Sequence, residues 1–546
     1  MNQENVGQTK VLILPFPLQG RINPMLQFAK RLVSKGLDVS LVTFCGNKPM
    51  AVPDRSSVKL EPVLDDLGAD NVLGKSSDDY LKRFKAVVSL RLPQIMAKLG
   101  MSKSENQASC LVYDSFVPWA LDIAKEEGVY GAEFFAMSGA VSTVFYNVHE
   151  GLLKLPIVEP CLSMAALPLL QPHDLPSFVY DIKAYPTFTQ LLTDQFSSFN
   201  KADWVFFNTF TSLETEVVNW MSKHRPIKTI GPTIPSKYLD KRVEDDGDYG
   251  IHLFKPETDI CVNWLNSKQT GSVVYVSFGS LATLGEDQME ELTLGLKRSG
   301  RNFLWVVRET EQKKISANFM EETSDKGLVV AWSPQLQVLA HEAVGCFMSH
   351  CGWNSTMEAL SLGVPMVAVP QWTDQPTNAK FIADVWQVGI RAEVDGKGII
   401  RKEEIERCVR EIMEGDRSED VKRNAVKWKK LAIEAANQGG SSDTNIIEFI
   451  AQLTGKDHVA SISQGSVASL PEINSGAVED NVSSPLVSED DQIHESTSDS
   501  IAPDNGLDHG NSISDNVTDD LVRTTVLVIR RSTRVTSKPS YLRQYL

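Results

Sequence analysis

Residues 10–44 read KVLILPFPLQGRINPMLQFAKRLVSKGLDVSLVTF, and this stretch decides the fold class. It begins with an apolar run at residues 10–16, which is typical of a buried strand. A glycine-containing turn follows at residues 18–21, and apolar residues at helical spacing then predict a helix that ends at Gly36. Residues 37–44 form a second apolar run. Strand, turn, helix and strand in this order predict a βαβ unit of a parallel sheet.

The same pattern starts again in the second half of the chain. Short apolar runs that alternate with amphipathic stretches are found at residues 272–278, 303–307, 328–331, 346–349 and 366–369. Two such series predict an α/β protein with two Rossmann-like domains that face each other across a cleft, with ligands beyond the carboxyl ends of the strands. A polar stretch at residues 236–250 marks the junction. We predict an amino-terminal domain at residues 1–245, a linker at 246–258 and a carboxy-terminal domain at 259–455.

The composition changes after residue 455. Residues 459–520 are rich in Ser, Asp, Asn and Glu and contain few aromatic residues, which predicts disorder because little apolar surface can be buried. We therefore expect residues 456–546 to form a disordered tail without a catalytic role. The basic end of this tail, RRSTRVTSKPSYLRQYL at residues 530–546, resembles the linker of plant copia-type retrotransposon polyproteins. A solvated basic terminus is the alternative interpretation.

The overall composition argues against several classes of protein. The formal net charge is −16, whereas binding to nucleic acid needs clustered Lys and Arg. The seven cysteines are scattered and form no CxxC motif, so we expect neither disulfides nor a zinc site. We recognise no secretion signal and no apolar stretch long enough to span a membrane. These features predict a cytoplasmic protein, expected to be a monomer, that binds no nucleic acid and no metal.

The strongest chemical signal lies at residues 332–375, which read WSPQLQVLAHEAVGCFMSHCGWNSTMEALSLGVPMVAVPQWTDQ. Within it a predicted strand runs into His350, and Asn354 or Ser355 is expected at the N-terminus of the helix that follows. Backbone N–H groups and the dipole at a helix N-terminus favour an anion. Gly352 lets the backbone come close to a phosphate. The segment therefore predicts a site that stabilises a diphosphate leaving group without a metal.

Residues 332–375 resemble, nearly position for position, the signature box of plant family-1 UDP-dependent glycosyltransferases, and the wider resemblance covers residues 8–454. It implies the GT-B fold and a UDP-sugar as co-substrate, without a cofactor. It also implies that Trp332 stacks on the uracil and that Glu358 binds both ribose hydroxyls. The other donor residues that the resemblance implies are Ser333 and Gln335 near the base, Ser280, His350, Asn354 and Ser355 on the diphosphate, and Trp353, Asp374 and Gln375 on the sugar.

The catalytic position departs from the family pattern. Relatives carry a His in the first turn that deprotonates the acceptor hydroxyl, and an Asp that orients this His. The resemblance assigns the first position to Arg21 and the second to Asp114. Arginine has a pKa above about 12 and cannot act as a general base near neutral pH.

Three interpretations of Arg21 stay open. An acceptor carboxylate needs no base, and Arg21 could dock it. Alternatively, Arg21 pairs with Asp114 and catalysis is impaired. Finally, another base such as His149 could replace the missing His.

The favoured prediction is an inverting, metal-independent transfer of a sugar, expected to be glucose, from a UDP-sugar to a small lipophilic acceptor. The first domain resembles a plant subgroup that often makes glucose esters of triterpenoid acids, so the acceptor group is expected to be a carboxylate. The expected acceptor pocket lies near Phe16 and residues 87–92, 134–146 and 191–199.

Three further expectations accompany this prediction. The alternative function is a catalytically impaired protein that binds a UDP-sugar or another small molecule. Ala136 replaces a Thr that relatives often have near the sugar, which suggests a 6-deoxysugar donor as an alternative. The acidic pair Asp246 and Asp248 lies at the domain junction and is expected to be solvated.

Overall fold

The computed structural model describes residues 9–45, 58–64, 77–101, 108–250, 255–280 and 282–455, which all belong to one compact unit. The tail predicted at residues 456–546, with its transposon-like end, lies outside the described residues. The described chain forms two parallel sheets with helices packed on them, which confirms the predicted class of two Rossmann-like α/β domains.

The first half of the chain contains seven strands of one parallel sheet and the helices around it. The strands are β1 (Lys10–Leu14), β2 (Asp38–Cys45), β3 (Lys59–Leu64), β4 (Ser109–Asp114), β5 (Tyr130–Phe135), β6 (Trp204–Phe207) and β7 (Lys228–Thr229). The helices are α1 (Gln19–Ser34), α2 (Ser77–Lys98), α3 (Ala120–Glu126), α4 (Gly139–His149), α5 (Ser177–Tyr180), α6 (Pro186–Asp194) and α7 (Thr215–His224). The strand order is β3-β2-β1-β4-β5-β6-β7. Strands β2 and β3 therefore lie on one side of β1, and strands β4 to β7 lie on the other side.

The second half repeats this architecture with a sheet of six strands. The strands are β8 (Val273–Ser277), β9 (Asn302–Val306), β10 (Gly327–Val330), β11 (Val344–Ser349), β12 (Met366–Ala368) and β13 (Gly389–Arg391). The helices are α8 (Thr258–Asn266), α9 (Glu286–Ser299), α10 (Glu309–Gln312), α11 (Ala317–Glu322), α12 (Gln335–Leu339), α13 (Trp353–Leu362), α14 (Gln375–Lys380), α15 (Lys402–Glu414), α16 (Ser418–Ala436) and α17 (Ser441–Thr454). The strand order is β10-β9-β8-β11-β12-β13. Strands β9 and β10 lie on one side of β8, and strands β11 to β13 lie on the other side.

Strand β1 is apolar along its length because both of its faces are buried. Val11 and Ile13 face the apolar cluster that contains α1, whereas Leu12 and Leu14 face the cluster on the other side of the sheet. A central parallel strand covered on both faces has a continuous apolar sequence rather than an alternating one. The carboxyl end of β1 leads directly into α1, so Arg21 lies at the edge of the sheet where ligands are expected.

Helix α17 lies in the range predicted for the second domain, but it packs on the first sheet. Phe449 is fully buried, and its ring lies 5.0 Å from the ring of Trp204 and 5.0 Å from that of Phe206, both in β6. Ile446 and Leu453 belong to the same apolar cluster. The chain therefore returns to the first domain at α17, and the predicted range of the second domain includes a helix that does not join that domain's core.

The polar segment at residues 236–250 is folded against α1. The carboxylate of Asp246 is buried, accepts a hydrogen bond from the backbone N–H of Ser236 at 2.6 Å and pairs with Lys30 of α1 at 2.8 Å. The prediction that Asp246 is solvated is therefore wrong, because its carboxylate is buried and connects the segment to Lys30 of the first domain. Asp248 is exposed, as predicted.

We expect Phe449→Ala to lower the free energy of unfolding by about 3–5 kcal/mol, because it removes a fully buried ring from the core of the first sheet. Urea denaturation followed by circular dichroism measures the change. Val426→Ala in α16 is the control, since Val426 is 61% exposed and should change the free energy by less than about 0.5 kcal/mol. Equal effects of the two substitutions would contradict the packing of α17.

Candidate active site

The predicted anion site lies where β11 ends and α13 begins. Between the two elements, Cys351 adopts a left-handed φ of 66°, and Gly352 is the N-cap residue of the helix. The helix begins at Trp353, so Asn354 and Ser355 lie within its first turn. The backbone N–H groups of a first turn have no partner inside the helix and favour an anion. The structure thus places the expected polar side chains at a helix N-terminus.

Two glycines make room for the ring of His350. A Cβ atom on Gly279 would lie 2.7 Å from the Nε2 atom of His350, and a Cβ atom on Gly352 would lie 2.5 Å from the same atom. Gly279 follows β8 with a φ of 71°, a conformation that favours glycine. Glycine at position 352 is therefore required by the imidazole ring, a reason that the sequence did not show.

Burial lowers the pKa of His350 to about 4, and a backbone hydrogen bond at Ser277 opposes this shift. The imidazole is therefore neutral near physiological pH. Among the described residues its Nδ1 atom is buried and has no hydrogen-bond partner. A buried polar atom without a partner is costly. A neutral imidazole whose proton is on the nitrogen that faces the ligand can donate a hydrogen bond to an anionic oxygen without adding a charge to the site.

A hydrogen-bond network holds Glu358 on the next turn of α13. The Nε2 atom of Gln335 donates to Glu358 Oε2 at 2.7 Å and to Ser355 Oγ at 2.9 Å. The hydroxyl of Tyr275 in β8 contacts Ser333 Oγ at 2.8 Å and donates to Gln335 Oε1 at 3.1 Å. Four predicted donor residues are thus connected, and Tyr275 orients them. Tyr275 could not be recognised from the sequence as a site residue, because a tyrosine inside an apolar strand is typical of a core residue.

The Glu358 carboxyl group is buried, and burial raises its pKa to about 7 although hydrogen bonds from Gln335 and Tyr249 oppose the shift. Its charge therefore changes near physiological pH. The other oxygen, Oε1, accepts a hydrogen bond from the hydroxyl of Tyr249 at 2.8 Å. The site thus already holds a hydroxyl on this carboxylate, which is the kind of contact predicted for the ribose.

Asp374 and Gln375 lie at the start of α14. Asp374 accepts hydrogen bonds from Thr373 Oγ1 at 2.6 Å and from Asn378 Nδ2 at 2.8 Å. Burial raises the pKa of Asp374, while these two donors and the charge of Arg21 oppose the shift. The Oε1 atom of Gln375 accepts two backbone N–H groups of the preceding turn, at 2.9 and 3.1 Å. Both side chains are therefore held in fixed orientations.

Ser280 and Trp332 follow strands of the second sheet. The carbonyl of Ser280, after β8, accepts a hydrogen bond from Arg308 Nη1 at 3.2 Å. The carbonyl of Trp332, after β10, accepts one from the backbone N–H of Glu257 at 3.0 Å, and its side chain is partly exposed. Both residues lie at the carboxyl edge of the sheet, where the donor site is expected.

Two hydrogen bonds from the first turn of α13 reach the first domain. Trp353 Nε1 donates to the carbonyl of Asn208 at 2.8 Å, and Asn354 Nδ2 donates to the carbonyl of Gly20 at 3.1 Å. Gly20 lies in the first turn of α1, next to Arg21. The two predicted halves of the active site therefore meet in one cleft.

Arg21 and Asp114 are buried side by side. Arg21 Nη1 donates to Asp114 Oδ1 at 3.4 Å, and the guanidinium carbon lies 3.6 Å from the centre of the Phe116 ring. Asp114, at the end of β4, also accepts backbone N–H groups from Phe116 at 2.9 Å and Phe16 at 3.4 Å. The structure thus brings together the two residues at the catalytic positions.

Burial lowers the pKa of Arg21, and the charges of Asp114 and Asp374 oppose the shift. Burial also raises the pKa of Asp114, opposed by Arg21 and by two backbone N–H groups. An arginine flanked by two carboxylates stays protonated because its ordinary pKa is above about 12. Arg21 therefore supplies a permanent positive charge and cannot accept a proton from an acceptor.

Two weaker sequence signals lie outside this group of contacts. Ala136 is 3% exposed and belongs to the apolar cluster between α1 and the first sheet. His149 ends α4, and its ring centre lies 6.0 Å from that of Phe196. A role of His149 as a base and a 6-deoxysugar donor stay predictions.

Comparison with known proteins shows the family to which the chain belongs. The family described as UDP-glucoronosyl and UDP-glucosyl transferase matches residues 189–463. Mogroside I-E synthase of Siraitia grosvenorii is 49% identical over 82% of this chain and 99% of its own length. The chain belongs to the plant family-1 UDP-glycosyltransferases. UDP-glycosyltransferase 74E2 of Arabidopsis thaliana is 46% identical over 81% of this glycosyltransferase and 98% of its own length.

Solved structures show the same fold. Os79 of O. sativa in complex with UDP has a TM-score of 0.76 and 38% identity, covering 81% of this glycosyltransferase and all of that chain. UGT2 of Phytolacca americana, complexed with UDP-2fluoro-glucose and pterostilbene, has a TM-score of 0.69 and 25% identity, covering 82% of this glycosyltransferase and all of that chain. These findings confirm the GT-B fold and the transfer of a sugar from a UDP-sugar to a small plant acceptor.

A cavity with a volume of about 680 Å³ lies between α2, α3 and α6 of this glycosyltransferase. Trp119 and Leu191 line this cavity. Of the segments predicted to form the acceptor pocket, residues 191–199 are therefore the one that contributes to its walls. Phe84 packs between Phe16 and Trp119, with ring centres 5.0 and 6.2 Å away. The predicted acceptor pocket as a whole stays a prediction.

The described part of the chain contains no cluster of metal-ligating side chains and no helix long and apolar enough to cross a bilayer. The monomeric state and the cytoplasmic location of this glycosyltransferase stay predictions.

We expect Gly352→Ala to weaken UDP-glucose binding by about 100-fold, because the new Cβ atom displaces the His350 ring from the anion site. Isothermal titration calorimetry measures the dissociation constant. Gly285→Ala is a matched control: Gly285 is also a helix N-cap with similar φ, and a Cβ there meets nothing within 4 Å. Unchanged affinity in Gly352→Ala would contradict the role of the His350 ring.

We also expect UDP-glucose affinity to rise about fivefold to tenfold from pH 6 to pH 8. Burial raises the pKa of Glu358 to about 7, so the carboxyl group loses its proton across this interval and becomes a stronger acceptor for ribose hydroxyls. Both phosphates of a UDP-sugar are esterified, so the ligand itself keeps its charge. Glu358→Gln should bind more weakly and without this pH dependence. The same pH profile in both proteins would rule out Glu358 as the titrating group.

Proposed function

We propose that this glycosyltransferase forms sugar esters, transferring glucose from UDP-glucose to the carboxylate of a small lipophilic acceptor such as a triterpenoid acid. The observation that carries the proposal is the buried guanidinium of Arg21 beside Asp114. An alcohol must lose a proton as it attacks the sugar, and Arg21 cannot take it. A carboxylic acid has already lost its proton at neutral pH, so its oxygen attacks without a base.

The contacts of Arg21 leave capacity for a second carboxylate. Within the described residues its guanidinium makes one hydrogen bond, through Nη1, at a long distance of 3.4 Å. A guanidinium has five N–H donors and binds carboxylates in a forked geometry. The stacking on Phe116 holds the plane of the group. Arg21 therefore suits the docking of an anionic acceptor without the tight pair that would reduce its nucleophilicity.

The proposed mechanism is a single in-line displacement at the anomeric carbon, with inversion and without a metal. UDP leaves toward the first turn of α13, where backbone N–H groups and the neutral ring of His350 can stabilise the negative charge of its diphosphate. Asp374 and Gln375 would orient the sugar hydroxyls. Glucose is favoured because Gln375 ends the signature box, a position at which Gln accompanies UDP-glucose in most relatives. In addition, UGT2 of Phytolacca americana was solved with UDP-2fluoro-glucose.

A second candidate is a catalytically impaired protein that binds UDP-sugars without turnover. The observation that favours it is the ion pair between Arg21 and Asp114, since this pair uses the carboxylate that would orient a catalytic His in relatives. The two candidates differ in whether UDP is released when a carboxylic acid is present.

The test compares cinnamic acid and cinnamyl alcohol as acceptors for the native protein and for Arg21→His. We expect kcat/KM of the native protein to favour the acid by at least about tenfold, and Arg21→His to reduce this preference by at least about tenfold through gain on the alcohol. UDP release and mass spectrometry of the product measure turnover. Cleavage by neutral hydroxylamine identifies an ester product, since glycosides of alcohols resist this reagent.

Arg21→Lys is the matched control because it keeps the positive charge and loses the forked geometry. It should retain part of the preference for the acid. Equal native rates on both acceptors would contradict ester formation. UDP-glucose binding without turnover on either acceptor, together with turnover in Arg21→His, would support the impaired protein instead.

A further inference from the structure

The junction segment, residues 236–250, reaches into the nucleotide site of the second domain. Its Tyr249 is 8% exposed, and its hydroxyl donates to Glu358 Oε1 at 2.8 Å. The other carboxylate oxygen accepts Gln335 at 2.7 Å. A segment predicted only to connect two domains thus supplies one of the two hydrogen bonds on the carboxylate that is expected to bind ribose.

Ion pairs and hydrogen bonds anchor the segment on α1 of the first domain, and Leu239 also packs on Ala436 of α16. Lys30 of α1 pairs with Asp246 and donates to the carbonyl of Asp248, both at 2.8 Å. Gln27 donates to the same carbonyl at 3.3 Å. Tyr249 follows directly after these contacts, so α1 helps to hold it on Glu358. The contact therefore connects the first domain with the nucleotide site in α13.

From these contacts we infer that Tyr249 is a ribose substitute, which holds Glu358 through its hydroxyl and is displaced when the nucleotide binds. This inference rests on the proposed UDP-sugar site, in which Glu358 accepts the ribose hydroxyls. A phenolic and a ribose hydroxyl offer the carboxylate the same kind of donor. Both need the space beside Oε1, and the ring of Tyr249 is buried there. When the nucleotide binds, a ribose hydroxyl therefore replaces the hydroxyl of Tyr249 on Glu358, and the hydrogen bond from Tyr249 is lost.

The exchange has two consequences for the enzyme. It reduces the affinity for the donor and for the product UDP, because part of the binding free energy replaces an existing hydrogen bond. It also couples the nucleotide to the arrangement of the domains, since displacement of Tyr249 releases a contact between α13 and a segment held by α1. Tyr249 acts through Glu358 and is not proposed to touch the reacting atoms.

The test is Tyr249→Phe, which removes the hydroxyl and keeps the ring. We expect the dissociation constant for UDP-glucose to fall about tenfold, since a hydrogen bond to a charged acceptor contributes about that factor. Tyr238→Phe is the matched control. Tyr238 lies in the same segment, and among the described residues its hydroxyl has no hydrogen-bond partner. This control should leave the dissociation constant unchanged.

Thermal unfolding provides a second readout. Tyr249→Phe should lower the melting temperature in the absence of nucleotide, and saturating UDP-glucose should abolish the difference from the native protein, because Tyr249 no longer contacts Glu358 in the complex. A cooperative transition also shows that the variant is folded.

Two outcomes overturn the inference. If Tyr249→Phe binds UDP-glucose as tightly as the native protein or more weakly, Tyr249 does not compete with the ribose, and the proposed donor site still stands. If neither the native protein nor the variants bind UDP-glucose, the donor site itself fails together with the inference.

Discussion

The approach of α1 and α13 determines what the cleft can do. Each helix begins at the carboxyl edge of its own sheet, and the hydrogen bond from Asn354 to the carbonyl of Gly20 joins their first turns. This contact brings the first turn of α1, which contains Arg21, to the predicted anion site at His350 and Gly352. Sugar transfer needs an acceptor oxygen in line with the bond to the leaving group, so alignment of the two turns contributes as much as any single side chain.

Arg21, at the position where relatives carry the catalytic His, has a permanent positive charge. A catalytic His gains its positive charge only when it takes a proton, whereas Arg21 carries its charge before any acceptor arrives. The charges of Asp114 and Asp374 stabilise that positive charge, and burial acts against the charged form of all three. The proposed preference for an anionic acceptor rests on this permanent charge of Arg21. The donor side has the opposite character, because His350 is neutral there.

The sequence predicted the parallel sheets and the grouping of the candidate donor residues, because both depend on local patterns. Strands buried on both faces appear as continuous apolar runs, and the signature box contains its polar residues within 44 positions. Contacts between distant segments were not predictable in this way. Tyr275 has the sequence pattern of a core residue, yet its hydroxyl orients Ser333 and Gln335. Asp246 lies in a polar stretch, yet it is buried and pairs with Lys30, which is more than two hundred residues earlier in the sequence.

The return of α17 to the first sheet means that the polypeptide crosses between the domains twice, before α8 and again before α17. Because two connections join the domains, a rotation of one domain against the other has to deform both of them. The alignment of the two first turns is thereby held within narrower limits than a single connection would set.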